Sequence, residues 1–351
     1  MLNVADFEEA ARERLDPGAY GYFAGGSGDE WTLRENVAAF RRWRLRPRVL
    51  VDVGESTTRC DVLGAPVEMP VLVAPTAFQR LADPEGEAPL ARAAAAAGTV
   101  YCLSTLASVT PPELVAAAPD GRKWFQLYWS RDRGFTGELL AAAAETGFEA
   151  VAFTVDFPVA GRRERDLRNE FRLPPDLPVP NIPAGELKRD DFHTDLGRIV
   201  DPTLTWRDLE WLHDASRLPV LVKGVLTAED AVLAADHGAR GVIVSNHGGR
   251  QLDGVPPSIE ALPEVVEAVG DRVEVLLDGG IRRAADVLVA LALGARAVLA
   301  GRAPLWGLAA GGEAGAARVL ELLRADLEAG LKLLGCRAPS DVSRSHIAHR
   351  G

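Results

Sequence analysis

A histidine and an arginine three residues apart are the side chains of this sequence best placed to do chemistry. They lie in the stretch Ser245-Asn246-His247-Gly248-Gly249-Arg250-Gln251-Leu252-Asp253-Gly254, directly after the apolar run 241–244. An imidazole exchanges a proton near neutral pH, and a planar guanidinium holds a carboxylate through two parallel hydrogen bonds. The intervening glycines let the chain turn sharply at the end of a strand. The stretch therefore predicts a general base beside an anion-binding group.

Short apolar runs that alternate with Ala-, Leu- and Glu-rich helical segments must position this stretch. Runs that are apolar throughout are typical of parallel strands covered on both faces. Eight such repeats predict a closed (β/α)₈ TIM barrel; the alternative is an open doubly wound sheet, but no glycine-rich dinucleotide-binding motif follows the first run. The runs begin at Val71, Thr99, Trp124, Val151, Val220, Val242, Val273 and Ala297.

We expect one domain over residues 1–351, with a helical N-terminal extension (1–60), a barrel (61–351) and a long connection after the fourth strand. The proline-rich part of that connection, 173–180, resists regular structure because proline lacks a donor and fixes φ. Residues 170–203 are interpreted as a mobile lid, with a plain surface insertion as the alternative. The charged run Lys188-Arg189-Asp190-Asp191 in this region makes a membrane anchor improbable.

Composition limits the possible partners. A formal net charge of −11 argues against a nucleic-acid ligand, since phosphate backbones need a basic face. Three widely spaced cysteines predict neither a disulfide framework nor a metal site. No apolar run approaches the ~20 residues that span a bilayer. We therefore expect a cytoplasmic protein that acts on a small molecule, without a metal, a membrane or a nucleic-acid partner.

Active sites of such barrels lie at the carboxyl ends of the strands. Glycine and arginine follow the seventh and eighth strands, where backbone N–H groups and guanidiniums commonly hold a phosphate. Lys223 ends the fifth strand, and its position alone leaves three roles open: a salt-bridge partner, a Schiff-base lysine, or a cation that faces a cofactor. The residues of the predicted phosphate site are Asp278, Gly280, Arg282, Gly301 and Arg302.

The sequence resembles the FMN-dependent 2-hydroxy acid oxidases and dehydrogenases. The main motif is the stretch from Ser245 to Asp253, and the similarity covers nearly the whole chain. Further matching segments are Ala74-Pro75-Thr76-Ala77, Asp83-Pro84-Glu85-Gly86-Glu87, Gln126-Leu127-Tyr128, Thr154-Val155-Asp156, Gly161-Arg162-Arg163, Val222-Lys223-Gly224, Asp278-Gly279-Gly280-Ile281-Arg282-Arg283, Gly301-Arg302 and Ser343-Arg344-Ser345-His346-Ile347.

The resemblance implies FMN as the cofactor and assigns roles to these residues. It gives the phosphate site to FMN and places Lys223 by the N1/C2 edge of the flavin. It also implies that His247 removes a proton, that Asp156 stabilises the imidazolium, and that Tyr128 hydrogen-bonds the substrate hydroxyl. The substrate carboxylate would be held by Arg250, Arg163 and Tyr22. The remaining flavin contacts would come from Pro75, Thr76, Ala77, Ser104, Gln126, Thr154 and Ser245.

The implied reaction oxidises an (S)-2-hydroxy acid to a 2-oxo acid. Ala77 favours reoxidation by O₂ with release of H₂O₂, and Leu106, where several relatives have an aromatic residue, favours an aryl substrate of the mandelate or 4-hydroxymandelate type. The alternatives are a glycolate or lactate oxidase, a dehydrogenase with another acceptor, a non-catalytic binding protein and, remotely, an isomerase or aldolase that uses Lys223. A homotetramer is expected by resemblance.

Overall fold

Eight parallel strands close into a barrel in the computed structural model, which describes residues 1–187 and 192–350. The first barrel strand pairs with the second on one side and with the eighth on the other, so the described barrel has no free edge. The predicted TIM barrel is therefore confirmed. Its strands are β4 (Val71–Val73), β5 (Tyr101–Ser104), β6 (Lys123–Leu127), β7 (Ala150–Thr154), β8 (Val220–Val225), β9 (Gly241–Val244), β10 (Glu274–Asp278) and β11 (Ala297–Ala300).

Helices surround the strands and follow the chain order that a barrel requires. Their ends carry the expected caps: Thr110 and Glu113 form a capping box before one helix, and Gly335 ends the last one with φ +79°. The helices are α1 (Val4–Arg14), α2 (Pro17–Ala24), α3 (Trp31–Ala38), α4 (Ala88–Ala96), α5 (Pro111–Ala117), α6 (Arg133–Glu145), α7 (Glu164–Arg168), α8 (Phe192–Ile199), α9 (Asp208–Ser216), α10 (Ala228–Asp236), α11 (Ser258–Val269), α12 (Ala284–Ala292) and α13 (Arg302–Leu334).

The barrel is filled by apolar side chains from alternate strand positions. Because β-strand side chains alternate between two faces, each strand sends one set inward and the other against the helices. Both sets are buried, which explains why the strands read as continuous apolar runs. The buried inner set includes Leu72, Cys102, Trp124, Ala152, Leu221, Ile243, Leu276 and Leu299.

The N-terminal extension is helical, as expected, but it also contains a strand. Strand β1 (Trp43–Leu45) pairs antiparallel with β12 (Ile347–His349) and thereby joins the two ends of the chain. A hairpin of β2 (Cys60–Val62) and β3 (Ala65–Val67) precedes the first barrel strand. These strands are not predictable from the sequence, because three residues are too few for a periodic pattern and the partner of β1 lies about three hundred residues away.

The connection between β7 and β8 holds α7, α8 and α9, and its segment 173–180 has neither helix nor strand, as predicted. The segment packs against the barrel: Leu173 and Leu177 are buried, and Asn181 Nδ2 donates to Val109 O at 2.9 Å. Residue 200 forms an isolated bridge with Ser130. The charged run 188–191 lies outside the described residues, and lid mobility stays a prediction. No described helix is long and apolar enough to cross a membrane.

Candidate active site

The carboxyl ends of the barrel strands surround one cavity that encloses about 1010 Å³ of empty space, including the part open to solvent. Asp156 and Ser245 lie behind the wall of the cavity. The other predicted site residues line it: Tyr22, Pro75, Thr76, Ala77, Ser104, Leu106, Gln126, Tyr128, Thr154, Arg163, Lys223, His247, Arg250, Asp278, Gly280, Arg282, Gly301 and Arg302.

The imidazole of His247 is held between a carboxylate and a phenol. Its Nδ1 lies 2.8 Å from Asp156 Oδ1, and its Nε2 lies 3.0 Å from the Tyr128 hydroxyl. Because a carboxylate accepts only, Nδ1 carries the proton and the lone pair of Nε2 is directed at the Tyr128 hydroxyl, which lines the cavity. The Tyr128 hydroxyl then donates to Nε2. This is the arrangement that a general base needs.

Burial and neighbouring charges set the protonation states of this group. Burial lowers the pKa of His247, and Asp156 opposes that effect only in part, so the imidazole is neutral at pH 7. Burial works against the charge of Asp156, but His247 and Lys223 lower the pKa of this carboxyl below its usual value. Burial raises the pKa of Tyr128, so its hydroxyl stays protonated. His247 is thus in the neutral form that a base requires, and Asp156 is placed to stabilise the cation that forms when it takes up a proton.

The backbone after β9 aims His247 at the cavity. His247, Gly248 and Gly249 have φ of +59°, +64° and +75°, three successive residues in the left-handed region. For a residue with a Cβ this conformation costs ~1–3 kcal/mol, which indicates that the surrounding contacts enforce it. Among those contacts, the His247 N–H donates to Ser245 Oγ at 3.0 Å. Ser245 therefore stabilises the turn, and its Oγ also accepts a hydrogen bond from Lys223 Nζ.

Two arginines and a tyrosine form the anion-binding side of the cavity. The Nη1 of Arg250 donates to the carbonyls of Tyr22 and Gly25 at 2.6 and 3.0 Å, and the two guanidinium carbons of Arg250 and Arg163 lie 4.8 and 5.7 Å from the Tyr22 ring centroid. Arg163 is 5% exposed, and its Nε and Nη1 have no hydrogen-bond partner among the described residues. Buried N–H groups of this kind are suited to an anionic ligand that accepts hydrogen bonds.

Lys223 is a charged residue of the cavity wall. Its Nζ lies 2.9 Å from Asp278 Oδ2 and donates to Ser245 Oγ at 3.0 Å. Burial disfavours the ammonium, but Asp278 and then Asp156 outweigh it and raise the pKa of Lys223 above its ordinary value. A Schiff-base lysine needs the neutral amine, so this pairing argues against the aldolase alternative.

The turns after β10 and β11 bring further guanidiniums to the cavity, and Arg302 shares the Gly25 carbonyl with Arg250. Arg302 donates from Nε, Nη1 and Nη2 to the carbonyls of Phe23, Gly248 and Gly25 at 2.8, 3.0 and 2.8 Å. Burial, followed by the charges of Arg250 and Arg282, lowers its pKa well below the ordinary value. A cluster of like charges that repel one another fits a dianion such as the FMN phosphate.

Neutral polar side chains form a row along the cavity wall. Ser104 Oγ donates to Gln126 Oε1 at 3.0 Å, and Gln126 Nε2 donates to Thr154 Oγ1 at 3.1 Å.

Several residues around the site escaped sequence analysis. Leu196 of α8 lines the cavity, although α8 belongs to the long connection. Gln251 fixes the loop behind the base, because its Nε2 donates to Asp156 O at 2.7 Å and its Oε1 accepts from Gly161 N at 3.0 Å. The position of Gln251 next to Arg250 was a usable signal, whereas nothing in the sequence links Leu196 to the site. Among the described residues no group of three His, Cys, Asp or Glu side chains could hold a metal ion.

The glycine turn at residue 280 supports a stability prediction. A Cβ at Gly280, where φ is +82°, would lie 1.9 Å from Asn36 O, so alanine would push the N-terminal extension away from the phosphate turn. Gly64 is a matched control, since its φ is +74° and no atom lies within 4 Å of the added Cβ. We expect Gly280→Ala to lower the free energy of unfolding by ~1–3 kcal/mol more than Gly64→Ala, and to release FMN at lower urea. Equal losses in the two variants, measured by urea denaturation, would contradict this interpretation.

Comparison with known proteins agrees with this geometry. The family model described as "FMN-dependent dehydrogenase" matches residues 11–349. Glycolate oxidase of Spinacia oleracea is 47% identical over 354 residues, which cover 99% of this chain and 96% of the relative. L-lactate oxidase of Nostoc sp. is 46% identical over 359 residues, which cover 99% of this chain and 98% of the relative. A structure of mandelate oxidase with (S)-4-hydroxymandelic acid superimposes with a TM-score of 0.94, at 45% identity and 98% coverage of both chains. The chain belongs to the FMN-dependent dehydrogenase family, and its cofactor is FMN.

Proposed function

We propose that this protein is a 2-hydroxy acid oxidase that converts an (S)-2-hydroxy acid into the 2-oxo acid and passes the electrons to O₂, which gives H₂O₂. The observation that carries the proposal is that one cavity holds both a neutral His247 backed by a carboxylate and an Arg163 whose Nε and Nη1 have no hydrogen-bond partner among the described residues. A hydroxy acid has the two matching groups, a carboxylate and an adjacent C–OH. The two sequence relatives described above, glycolate oxidase and L-lactate oxidase, are oxidases by name.

The residues of the chain divide the work by their chemistry. Arg163 and the Nε and Nη2 atoms of Arg250 bind the substrate carboxylate, while the Nη1 of Arg250 keeps its hydrogen bonds to the carbonyls of Tyr22 and Gly25. Tyr128 binds the substrate hydroxyl, and His247 takes up a proton of the substrate at Nε2. Asp156 then stabilises the imidazolium through Nδ1. FMN, when bound, would accept the two electrons and the second proton that the substrate loses. Lys223 supplies a fixed positive charge next to the cofactor site.

We further propose that the substrate has an aryl group at C2. The apolar side of the cavity is formed by Leu106, Phe157 and Leu196, which are 4%, 3% and 2% exposed. Phe157 packs against Tyr128 with ring centroids 4.8 Å apart, so this wall approaches the end of the cavity that holds the base. An apolar wall stabilises a phenyl ring by excluding water, whereas glycolate leaves the same space unfilled.

The substrate class can be tested by comparing mandelate with glycolate. We expect a higher kcat/KM for mandelate, and a loss of ~10-fold or more in the mandelate-to-glycolate ratio in Leu106→Trp, which occupies the space for the ring. Leu106→Met is the matched control, because it keeps the volume. A higher kcat/KM for glycolate in the unmodified enzyme would refute the aryl proposal, and it would leave the hydroxy acid oxidase proposal intact.

The electron acceptor has a separate test. Ala77, which supports reaction with O₂ by resemblance, lines the cavity in the segment that follows β4. We expect the substrate-reduced protein to regain its yellow colour within seconds in aerated buffer, and to release one H₂O₂ for each 2-oxo acid formed. Reoxidation that takes minutes, with rapid turnover on an artificial dye, would identify a dehydrogenase instead. The homotetramer and the cytoplasmic location stay predictions.

A further inference from the structure

A second cleft lies on the outer side of the predicted phosphate site. It encloses about 1040 Å³ of empty space, including open solvent, and it lies between α1, α3 and the turn after β10. Arg282 and Arg302 line both this cleft and the active-site cavity, so the two spaces meet at these guanidiniums. Three more arginines line the cleft alone: Arg34, Arg41 and Arg283.

The cleft is strongly basic, although the protein is acidic. Among the described residues that line it, Glu8 is the one carboxylate against five arginines. The guanidinium of Arg34 donates to the carbonyl of Asp29 at 2.8 Å, which leaves its charge unpaired. Arg42, by contrast, pairs with Glu35 and Glu260 and does not line the cleft. The chain as a whole has a formal net charge of −11.

The arginines form a graded path. Arg34, Arg41 and Arg283 are exposed, whereas Arg282 and Arg302 are half-buried at the boundary with the cavity. An anion that meets the outer arginines therefore has a continuous series of positive charges to follow inward. Apolar Val4, Leu33 and Val37 on the walls lower the local dielectric, which strengthens the field between the charges.

We infer that this cleft is the entrance through which the phosphate of FMN is captured. A phosphate monoester carries nearly two negative charges at pH 7, so a protein of net charge −11 repels FMN as a whole. A basic cleft of low dielectric focuses the potential and raises the rate of association of an anion by ~10–10³-fold. Arg34 and Arg41 accelerate capture, and Arg282 and Arg302 then retain the phosphate. The inference rests on the cofactor and is independent of the substrate class.

The test compares association rates of FMN with those of riboflavin, which lacks the phosphate. Holoprotein is diluted until part of its FMN dissociates, and the recovery after a jump in free flavin is followed by the quenching of flavin fluorescence. We expect the double variant Arg34→Gln/Arg41→Gln to bind FMN at least ~5-fold more slowly at low salt, with a weaker dependence on salt concentration and little change in the dissociation rate. Riboflavin binding should be the same in both proteins.

The control is Arg207→Gln/Arg240→Gln, which removes the same charge far from the cleft. Arg240 precedes β9 at the opposite end of the barrel, and Arg207 precedes α9. This control should bind FMN at nearly the unmodified rate. An unchanged FMN association rate in the cleft variant, an equal slowing of riboflavin, or a loss confined to the dissociation rate would each overturn the inference. The last result would make the cleft part of the bound-phosphate site.

Discussion

Replacing His247 with alanine is expected to slow reduction of the bound flavin by ~10²–10⁴-fold, while FMN stays bound. The variant loses the Nε2 lone pair that faces Tyr128, and the described cavity offers no second neutral imidazole at that place. Anaerobic stopped-flow mixing with a 2-hydroxy acid measures the rate directly from the flavin absorbance.

His237→Ala is the matched control for this experiment. The Nδ1 of His237 lies 2.9 Å from Leu233 O at the end of α10, far from the cavity lining, so its loss should leave the rate within a factor of two. Normal flavin reduction in His247→Ala would rule out the general-base role, and loss of FMN would show that the turn after β9 supports the cofactor site instead.

The pH dependence follows from the same geometry. Burial places the pKa of His247 below its ordinary value of 6.5, so the base is in its active, neutral form above that lowered pKa. We expect kcat/KM to stay constant around neutral pH and to fall only at acid pH, because His247 becomes protonated there. In Asp156→Asn the contribution that raises the pKa is lost, so the fall moves to still lower pH, and the maximal rate drops because the imidazolium is no longer stabilised.

Replacing Arg163 with methionine should weaken substrate binding strongly and stabilise the protein without substrate. The guanidinium is buried next to Arg250, and burial together with that neighbouring charge lowers the pKa of Arg163 to about 10. Its charge is therefore unfavourable until a carboxylate arrives. We expect the KM for a 2-hydroxy acid to rise by ~10²-fold or more, because a charge-assisted bidentate contact is lost. We also expect the unfolding free energy to rise by ~1–4 kcal/mol, because a buried charge is removed.

Steady-state kinetics and urea denaturation of the FMN-bound protein check the two halves of this prediction. Arg162→Met is the control, because Arg162 precedes Arg163 in the chain but does not line the cavity. When a substrate amide replaces the acid, the KM values of Arg163→Met and of the unmodified enzyme should differ much less. Lower stability in Arg163→Met would mean that the guanidinium stabilises the fold. An unchanged KM would mean that Arg163 does not bind the substrate carboxylate.

Much of the fold was predictable because local sequence reports it directly. Continuous apolar runs such as Val71–Val73 and Val242–Val244 identify strands covered on both faces, and their alternation with helices limits the topology to a barrel or an open sheet. The strand-end rule then collects residues from eight places in the chain at one cavity, which the structure shows for most of them. The pairing of β1 with β12 could not be predicted, because each strand has three residues and neither has a repeating pattern.

The sequence by itself determined the barrel, the cofactor family and the identity of most residues around the cavity. Only the tertiary structure decided how those residues act: which nitrogen of His247 faces Asp156, that Lys223 is held charged by Asp278, and that Arg250 and Arg302 donate to backbone carbonyls at the C-terminal end of α2. The physical reason is that pKa values and hydrogen bonds depend on distances of a few ångströms and on burial. Both are fixed by packing between segments that lie far apart in the chain, and a local pattern carries no record of them.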